Sequence, residues 1–173
     1  MFSFPFSQKA SEIFQIAQSN AKARNNSILV TEHLFEALLE NDHEVSLEIL
    51  KKCKVNIIEL KKEIAHYLNK LPKVTGNSVQ ASPDKNFLKF LQEAQNISKV
   101  NNDEVITTDV LLLAYTSINK NSNNSINYSL PHKEIENEIN KMRLGREATG
   151  SNPESQINSL KKFTRDITEE AIK

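Results

Sequence analysis

Few residues of this chain could carry out catalytic chemistry, and they are scattered. Candidate ligands, bases and nucleophiles are four histidines and one cysteine: His33, His43, His66, His132 and Cys53. The histidines lack metal-ligand spacing, and the cysteine has neither a neighbouring histidine nor a second thiol with which to form a disulfide. None of the three glycines lies in a pattern that wraps a phosphate. We therefore expect that this chain alone is not an enzyme and carries no metal or cofactor.

Two predicted helices begin with a polar residue followed by apolar side chains, which is typical of a binding groove if the helix ends meet. These residues are Ser7, Ala10 and Ile13 in one helix, and Asp109, Val110 and Leu113 in the other. Apolar side chains rimmed by hydrogen-bond acceptors suit extended, hydrophobic peptide segments. In this arrangement Val110 faces the groove, whereas Leu111 faces the core.

Apolar residues at three-and-four spacing predict about four helices in each half of the chain. Ser7 is the expected N-cap of the first helix and Thr31 of the second. In the second half, Ser82-Pro83 is predicted to begin the fifth helix and Thr108 to cap the sixth. The segment 119–128 is polar and rich in asparagine, so the counterpart of the third helix is at best short.

The two halves are related by an internal duplication. Three pairs of residues share one separation of 77 positions: Ala17 with Ala94, Asn25 with Asn102, and Leu29 with Ile106. A constant offset indicates a repeat. The absence of tryptophan and the small number of glycines suit a helical protein better than a sheet protein. The predicted fold is all-α, with about eight helices in two four-helix pseudo-repeats that form one globular domain.

Two successive four-helix repeats of this kind resemble the N-terminal domain of the Clp family, which precedes AAA+ ATPase modules. The resemblance runs from Phe6 to about Gly145. It is carried by Thr31-Glu32-His33-Leu34, by Asn102-Asp103, and by Thr108-Asp109-Val110-Leu111.

Two further segments resemble the ClpB disaggregase branch of the family. One is Asn-Lys-Leu-Pro-Lys-Val-Thr-Gly at 69–76. The other is Leu-Lys-Lys-Phe-Thr-Arg-Asp-Ile-Thr at 160–168, which is similar to the approach to the first ATPase module, with Phe163 and Ile167 where that branch has Tyr and Leu.

The resemblance also implies roles for three polar residues. Ser7, Asp103 and Asp109 stand where the family carries a Thr or Ser, an Asp and an acid near a peptide-binding groove. The alternative is that Ser7 caps the first helix, Asp103 closes a turn and Asp109 supports the start of the sixth helix. Both roles can hold at once.

The resemblance implies three regions: the double-repeat domain at 1–145, a flexible linker at 146–156, and the start of the approach to an ATPase module at 157–173. It implies a substrate-docking domain that binds unfolded or aggregated polypeptide and is monomeric by itself. ATP, magnesium and homohexamer contacts are expected of the absent ATPase modules. The expected compartment is the cytoplasm, or an organelle matrix if a transit peptide has been removed.

Other classes of function stay open or are disfavoured. The 22 basic and 22 acidic residues balance, so neither nucleic acid nor an anionic membrane is an expected partner. No apolar run is long enough for a membrane span. The remaining alternatives are an adaptor-docking N-domain of a ClpA- or ClpC-type unfoldase that feeds a protease, and a free-standing Clp-repeat protein.

Overall fold

A computed structural model describes residues 5–42, 45–75, 81–119, 126 and 128–143. Its helices are α1 Gln8–Ala23, α2 Thr31–Asn41, α3 Ser46–Lys52, α4 Ile57–Asn69, α5 Lys85–Val100, α6 Thr108–Asn119 and α7 His132–Arg143. Two short strands are β1 Ile28–Leu29 and β2 Ser82–Pro83. The all-α prediction is confirmed, with seven helices in the described residues. The predicted linker and the approach to an ATPase module lie outside these residues.

The 77-residue repeat is visible in the backbone. Helices α1 and α5 each contain 16 residues. After them, Asn25 and Asn102 adopt φ values of 58° and 60°. Asparagine tolerates this left-handed conformation better than most residues, so the same residue type ends the same helix in both repeats.

Short parallel pairings interlock the two repeats. Leu29 of β1 lies opposite Pro83 of β2, and Phe6, before α1, forms an isolated parallel bridge with Ile106, before α6. Under the repeat, Phe6 is equivalent to Pro83 and Leu29 is equivalent to Ile106. Each repeat therefore exchanges a segment with the other, and this exchange places the start of α1 beside the start of α6.

The predicted start of α5 at Ser82-Pro83 is wrong by two residues. These residues form β2, because their pairing with β1 requires extended backbone. The N-cap of α5 is Asp84, whose carboxylate accepts a hydrogen bond of 2.8 Å from the Phe87 N–H. Asp84 is the equivalent of Ser7, which caps α1 as predicted.

Helices α2 and α6 are equivalent under the repeat and form the centre of the core. Every residue from Thr31 to Leu39 of α2 is buried, as is every residue from Thr108 to Thr116 of α6. The two helices meet through Phe35 and Tyr115, whose stacked rings have centroids 4.2 Å apart. The helices α1, α4, α5 and α7 each bury one face only. Among the described long helices, α2 and α6 are therefore the two that are enclosed over most of their length.

Candidate functional site

The structure brings the N-terminal ends of α1 and α6 together, which is the condition under which the sequence predicts a groove. The Ser7 N–H donates to the Ile106 carbonyl at 3.0 Å, and the Ile106 N–H donates to the Pro5 carbonyl at 2.7 Å. The Ser7 hydroxyl accepts from the Ala10 N–H at 3.1 Å. We call this region, residues 5–14 together with 106–110, the α1/α6 end.

The apolar residues predicted to line the groove lie in the core. Ala10, Ile13 and Val110 are at most 1% exposed, and Leu113 is 8% exposed. The expected difference between Val110 and Leu111 is wrong, because both are 1% exposed on a helix that is enclosed on all sides here. A direct role for these residues in substrate binding stays a prediction, and in this conformation they support the α1/α6 end from beneath.

Two aromatic residues at this end do reach the surface, and sequence reasoning did not include them in the site. Phe6 and Phe14 are both partly exposed, and their stacked rings have centroids 5.9 Å apart. Phe14 also meets Phe87 of α5 edge-on, with centroids at 5.9 Å. The sequence carried a signal for Phe6, since a residue directly before the N-cap lies at the helix end.

The two candidate acids are held by a buried arginine. Arg143 Nε donates to Asp109 Oδ2 at 2.6 Å, and its Nη1 donates to both oxygens of Asp103 at 2.8 and 2.9 Å. Its Nη2 donates to the Thr107 hydroxyl at 2.8 Å, and that hydroxyl donates in turn to Asp109. We call these four residues the Arg143 cluster.

Burial and charge act in opposite directions on this arginine. Burial by itself lowers the pKa of the guanidinium, but the Asp109 and Asp103 carboxylates outweigh it and hold the pKa above its usual range. The Arg143 side chain is 6% exposed and that of Asp103 is 0% exposed. Solvent and ligands therefore meet little of this cluster directly, and its charges compensate one another inside the protein.

Arg143 was not included in the predicted site, although its spacing from the apolar residues of α7 indicates that it is buried. Arg143 follows Ile135 and Ile139 at intervals of four, so it lies on the buried face of α7. The equivalent buried positions of α4, 75 residues earlier, hold Leu60, Ile64 and Leu68. A charged residue where the repeat has leucine is a strong indication of a buried ion pair, because such charges are rarely buried without a partner.

The end where α5 and α2 begin is equivalent to the α1/α6 end, but it has no counterpart of the Arg143 side chain among the described residues. The Asp84 N–H donates to the Leu29 carbonyl at 3.2 Å, which matches the Ser7–Ile106 bond. Glu32 is the equivalent of Asp109, but Leu68 stands where the other repeat has Arg143. Burial raises the pKa of Glu32, in spite of the hydrogen bond of 3.0 Å from the Thr31 hydroxyl.

A buried histidine at the start of α2 makes the stability of the domain depend on pH. His33 Nδ1 accepts from the Val30 N–H at 3.0 Å, and Nε2 lies 3.0 Å from Asn26 Oδ1. Both contacts are satisfied by a neutral ring with its proton on Nε2. Burial first, and the positive charge of Arg24 second, lower the His33 pKa to about 4.

We expect the free energy of unfolding to fall as the pH decreases from 6.5 to 4. Over this range the unfolded chain binds a proton at His33 and the folded chain does not, which costs up to about 3 kcal/mol. Urea denaturation of wild type and His33→Gln across these pH values measures the effect. The raised pKa of Glu32 acts in the opposite direction but is common to both proteins, so their difference isolates His33. A difference that is constant with pH would contradict this prediction.

Neither a metal-binding group of side chains nor a membrane-spanning helix is present among the described residues. In the described ranges, no group of three or more His, Cys, Asp or Glu side chains could hold a metal ion. Among the helices that the structure describes, none combines the length and the apolar character needed to cross a membrane.

The fold and the α1/α6 end define an all-α domain of two interlocked helical repeats. The chain belongs to the Clp repeat (R) N-terminal domain family, which matches residues 5–129. Chaperone protein ClpB 2 of Nostoc sp. (strain PCC 7120) is 32% identical over 169 residues, which cover 97% of this chain and 19% of the relative. The chain therefore spans about a fifth of the length of the curated relatives it matches. These relatives confirm the predicted resemblance to the ClpB branch.

Solved structures show the same fold at low sequence identity. The Hsp104 N-terminal domain from Candida albicans superposes with a TM-score of 0.72 at 18% identity, over 87% of this chain and 99% of that one. A ClpV N-domain in complex with a VipB peptide has a TM-score of 0.59 at 15% identity, over 90% of this chain and 84% of that one.

Proposed function

We propose that this domain docks unfolded or aggregated polypeptide for a ClpB-type ATP-dependent disaggregase, and that it does so at the α1/α6 end. The observation that carries the proposal is the bridge between Phe6 and Ile106, which holds a partly exposed aromatic pair against the start of α6. The relatives named as ClpB chaperones support the class of activity. The ClpV N-domain, which has a similar fold, was solved with a peptide bound.

The chemistry of this end suits a sequence-tolerant ligand. Phe6 and Phe14 offer stacked, partly exposed ring surface, so apolar side chains of many sizes can contact them. A flexible polypeptide loses conformational entropy on docking, and the aromatic surface is small, so we expect weak and rapidly reversible binding. Weak binding is useful here, because a docked segment must be released for transfer to the ATPase ring.

We extend this proposal to a longer protein of the kind that the ClpB relatives represent. ATPase modules beyond the approach at 157–173 would bind ATP and magnesium and form the homohexamer, while this domain alone is a monomer without ATPase activity. The linker at 146–156 would let the domain move relative to the ring. Docking of an adaptor, as in a ClpA- or ClpC-type unfoldase, remains the alternative, because the partly exposed rings of Phe6 and Phe14 could contact either kind of polypeptide ligand.

We expect Phe14→Ser to weaken binding of an unfolded polypeptide at least about fivefold, because it removes one of the two stacked rings. Reduced and alkylated α-lactalbumin, labelled for fluorescence anisotropy, is a suitable ligand. The control is Ile58→Ser, which removes an apolar side chain that is 83% exposed in the first turn of α4. Circular dichroism should establish that each variant is folded, and Phe6→Ser replaces Phe14→Ser if the latter is not.

Two results would contradict the proposed function. One is that the wild-type domain does not bind the unfolded ligand at any accessible concentration. The other is that Phe14→Ser and Ile58→Ser reduce the affinity equally, since the aromatic pair would then contribute no more than any exposed apolar residue.

A further inference from the structure

The acids of the α1/α6 end are poorly placed to contact a docked polypeptide. Both oxygens of Asp103 accept from Arg143, and Asp109 accepts from Arg143 and from Thr107. The Asp103 and Asp109 side chains are at most 1% exposed. A ligand group could reach them only by displacing the guanidinium, which would leave buried charges without a partner.

We propose that Arg143 is the positioning residue of the α1/α6 end, and that Asp103 and Asp109 affect docking only through it. This inference rests on the proposed function, since it assigns the part of the protein that holds the docking surface in shape. It also gives the two acids a role that neither direct substrate contact nor simple helix capping describes.

The contacts that connect Arg143 to the aromatic pair form a short continuous path. Arg143 Nη2 holds the Thr107 hydroxyl at 2.8 Å. Thr107 directly follows Ile106, which forms the parallel bridge with Phe6. Phe6 in turn stacks on Phe14. A shift of Thr107 would therefore move the strand-like segment on which the position of the Phe6 ring depends.

The geometry requires an arginine rather than any cation. The planar guanidinium donates in three directions at once, to Asp109 through Nε, to Asp103 through Nη1 and to Thr107 through Nη2. A lysine ammonium keeps the charge but cannot reproduce this fork. Arg143→Lys thus retains the compensation of charge and removes the fixed geometry, which is the property under test.

The first repeat supplies a matched control. Arg24 Nη1 and Nη2 donate to the two oxygens of Glu36 at 2.7 and 2.8 Å, a comparable bidentate pair. This pair joins the end of α1 to α2 and is not part of the Arg143 cluster. Arg24→Lys therefore makes the same chemical change in an ion pair that does not hold Thr107.

The test is a double-mutant cycle on affinity for labelled, reduced and alkylated α-lactalbumin. We expect Arg143→Lys and Asp109→Asn each to weaken binding about tenfold, and the double variant to be no weaker than the worse single one. Arg24→Lys should bind as wild type does, although both lysine variants lose some thermal stability. The amide resonances of Phe6 and Ile106 should shift in Arg143→Lys and not in Arg24→Lys.

The outcomes separate this inference from the proposed function. If wild type binds and a folded Arg143→Lys binds equally well, Arg143 does not position the docking surface and the inference fails alone. If the double variant binds about a hundredfold more weakly than wild type, the two effects on the binding free energy are additive. Asp109 then contacts the polypeptide independently of Arg143, and the inference also fails. If wild type does not bind, the proposed function fails and the inference with it. Should Arg143→Lys not fold, Thr107→Val breaks the same path and must also weaken binding.

Discussion

Replacement of Arg143 by methionine is expected to lower the free energy of unfolding by about 3–5 kcal/mol. Methionine fills much of the space of the arginine stem but leaves Asp103 and Asp109 buried without a positive partner. A domain of this size is typically stable by only about 5–15 kcal/mol, so the variant should unfold at markedly lower urea concentration. Urea denaturation followed by far-ultraviolet circular dichroism measures the change.

The matched control for this prediction is Arg24→Met. The side chains of Arg24 and Glu36 are 24% and 11% exposed, so water can partly replace the lost partner and the cost should be about 1 kcal/mol. The triple variant Asp103→Asn, Asp109→Asn, Arg143→Met should recover part of the loss, because it contains no uncompensated charge at this site. Equal losses in Arg24→Met and Arg143→Met would show that the Arg143 cluster is no more important than the partly exposed Arg24–Glu36 ion pair.

Substitution of Val110 by glutamate is expected to prevent folding at neutral pH. Val110 is 1% exposed and belongs to the hydrophobic core. The nearby Arg143 is already held by Asp103 and Asp109. The new carboxylate would therefore be buried without a partner at a cost of several kcal/mol. Val110→Ala leaves only a cavity and should cost roughly 2 kcal/mol. The measurement is the dispersion of amide proton resonances in a two-dimensional NMR spectrum.

Ile58→Glu is the control for the glutamate substitution. Ile58 is 83% exposed, so the charged side chain there stays in water and the domain should keep its native spectrum. A folded Val110→Glu protein would mean that Val110 is accessible, as the sequence pattern suggested, and would contradict the enclosed position of α6.

The fold could be predicted because its signals are local or periodic. The cap at Ser7, the breaks at Asn25 and Asn102, and the constant 77-residue offset all survive as structural features. The prediction failed at Ser82-Pro83, where a pairing with a strand more than 50 residues away overrides the preference of proline for the first helical turn. Pairings between distant segments leave no period in the sequence, so the pattern alone could not identify this exchange.

The candidate site was only partly predictable for a related reason. The sequence could state the meeting of the α1 and α6 ends only as a condition for the groove. The expected orientation of Val110 is wrong, because a groove face was assigned to a helix without a polar face. The run from Val110 to Ala114 is entirely apolar, which is typical of a helix buried on all sides. The sequence carried signals that Phe6 lies at a helix end and that Arg143 is buried, but it could not show their contacts with Ile106 and with the two acids, on which their roles depend.

The most direct test of the proposed docking function is a titration of the isotopically labelled domain with reduced and alkylated α-lactalbumin, followed by amide chemical shifts. The account predicts that the perturbed amides cluster at the α1/α6 end and include Phe6, Ser7, Phe14 and Ile106. Perturbations that cluster elsewhere, such as around Ile58 in α4, and leave these four amides unchanged would contradict it.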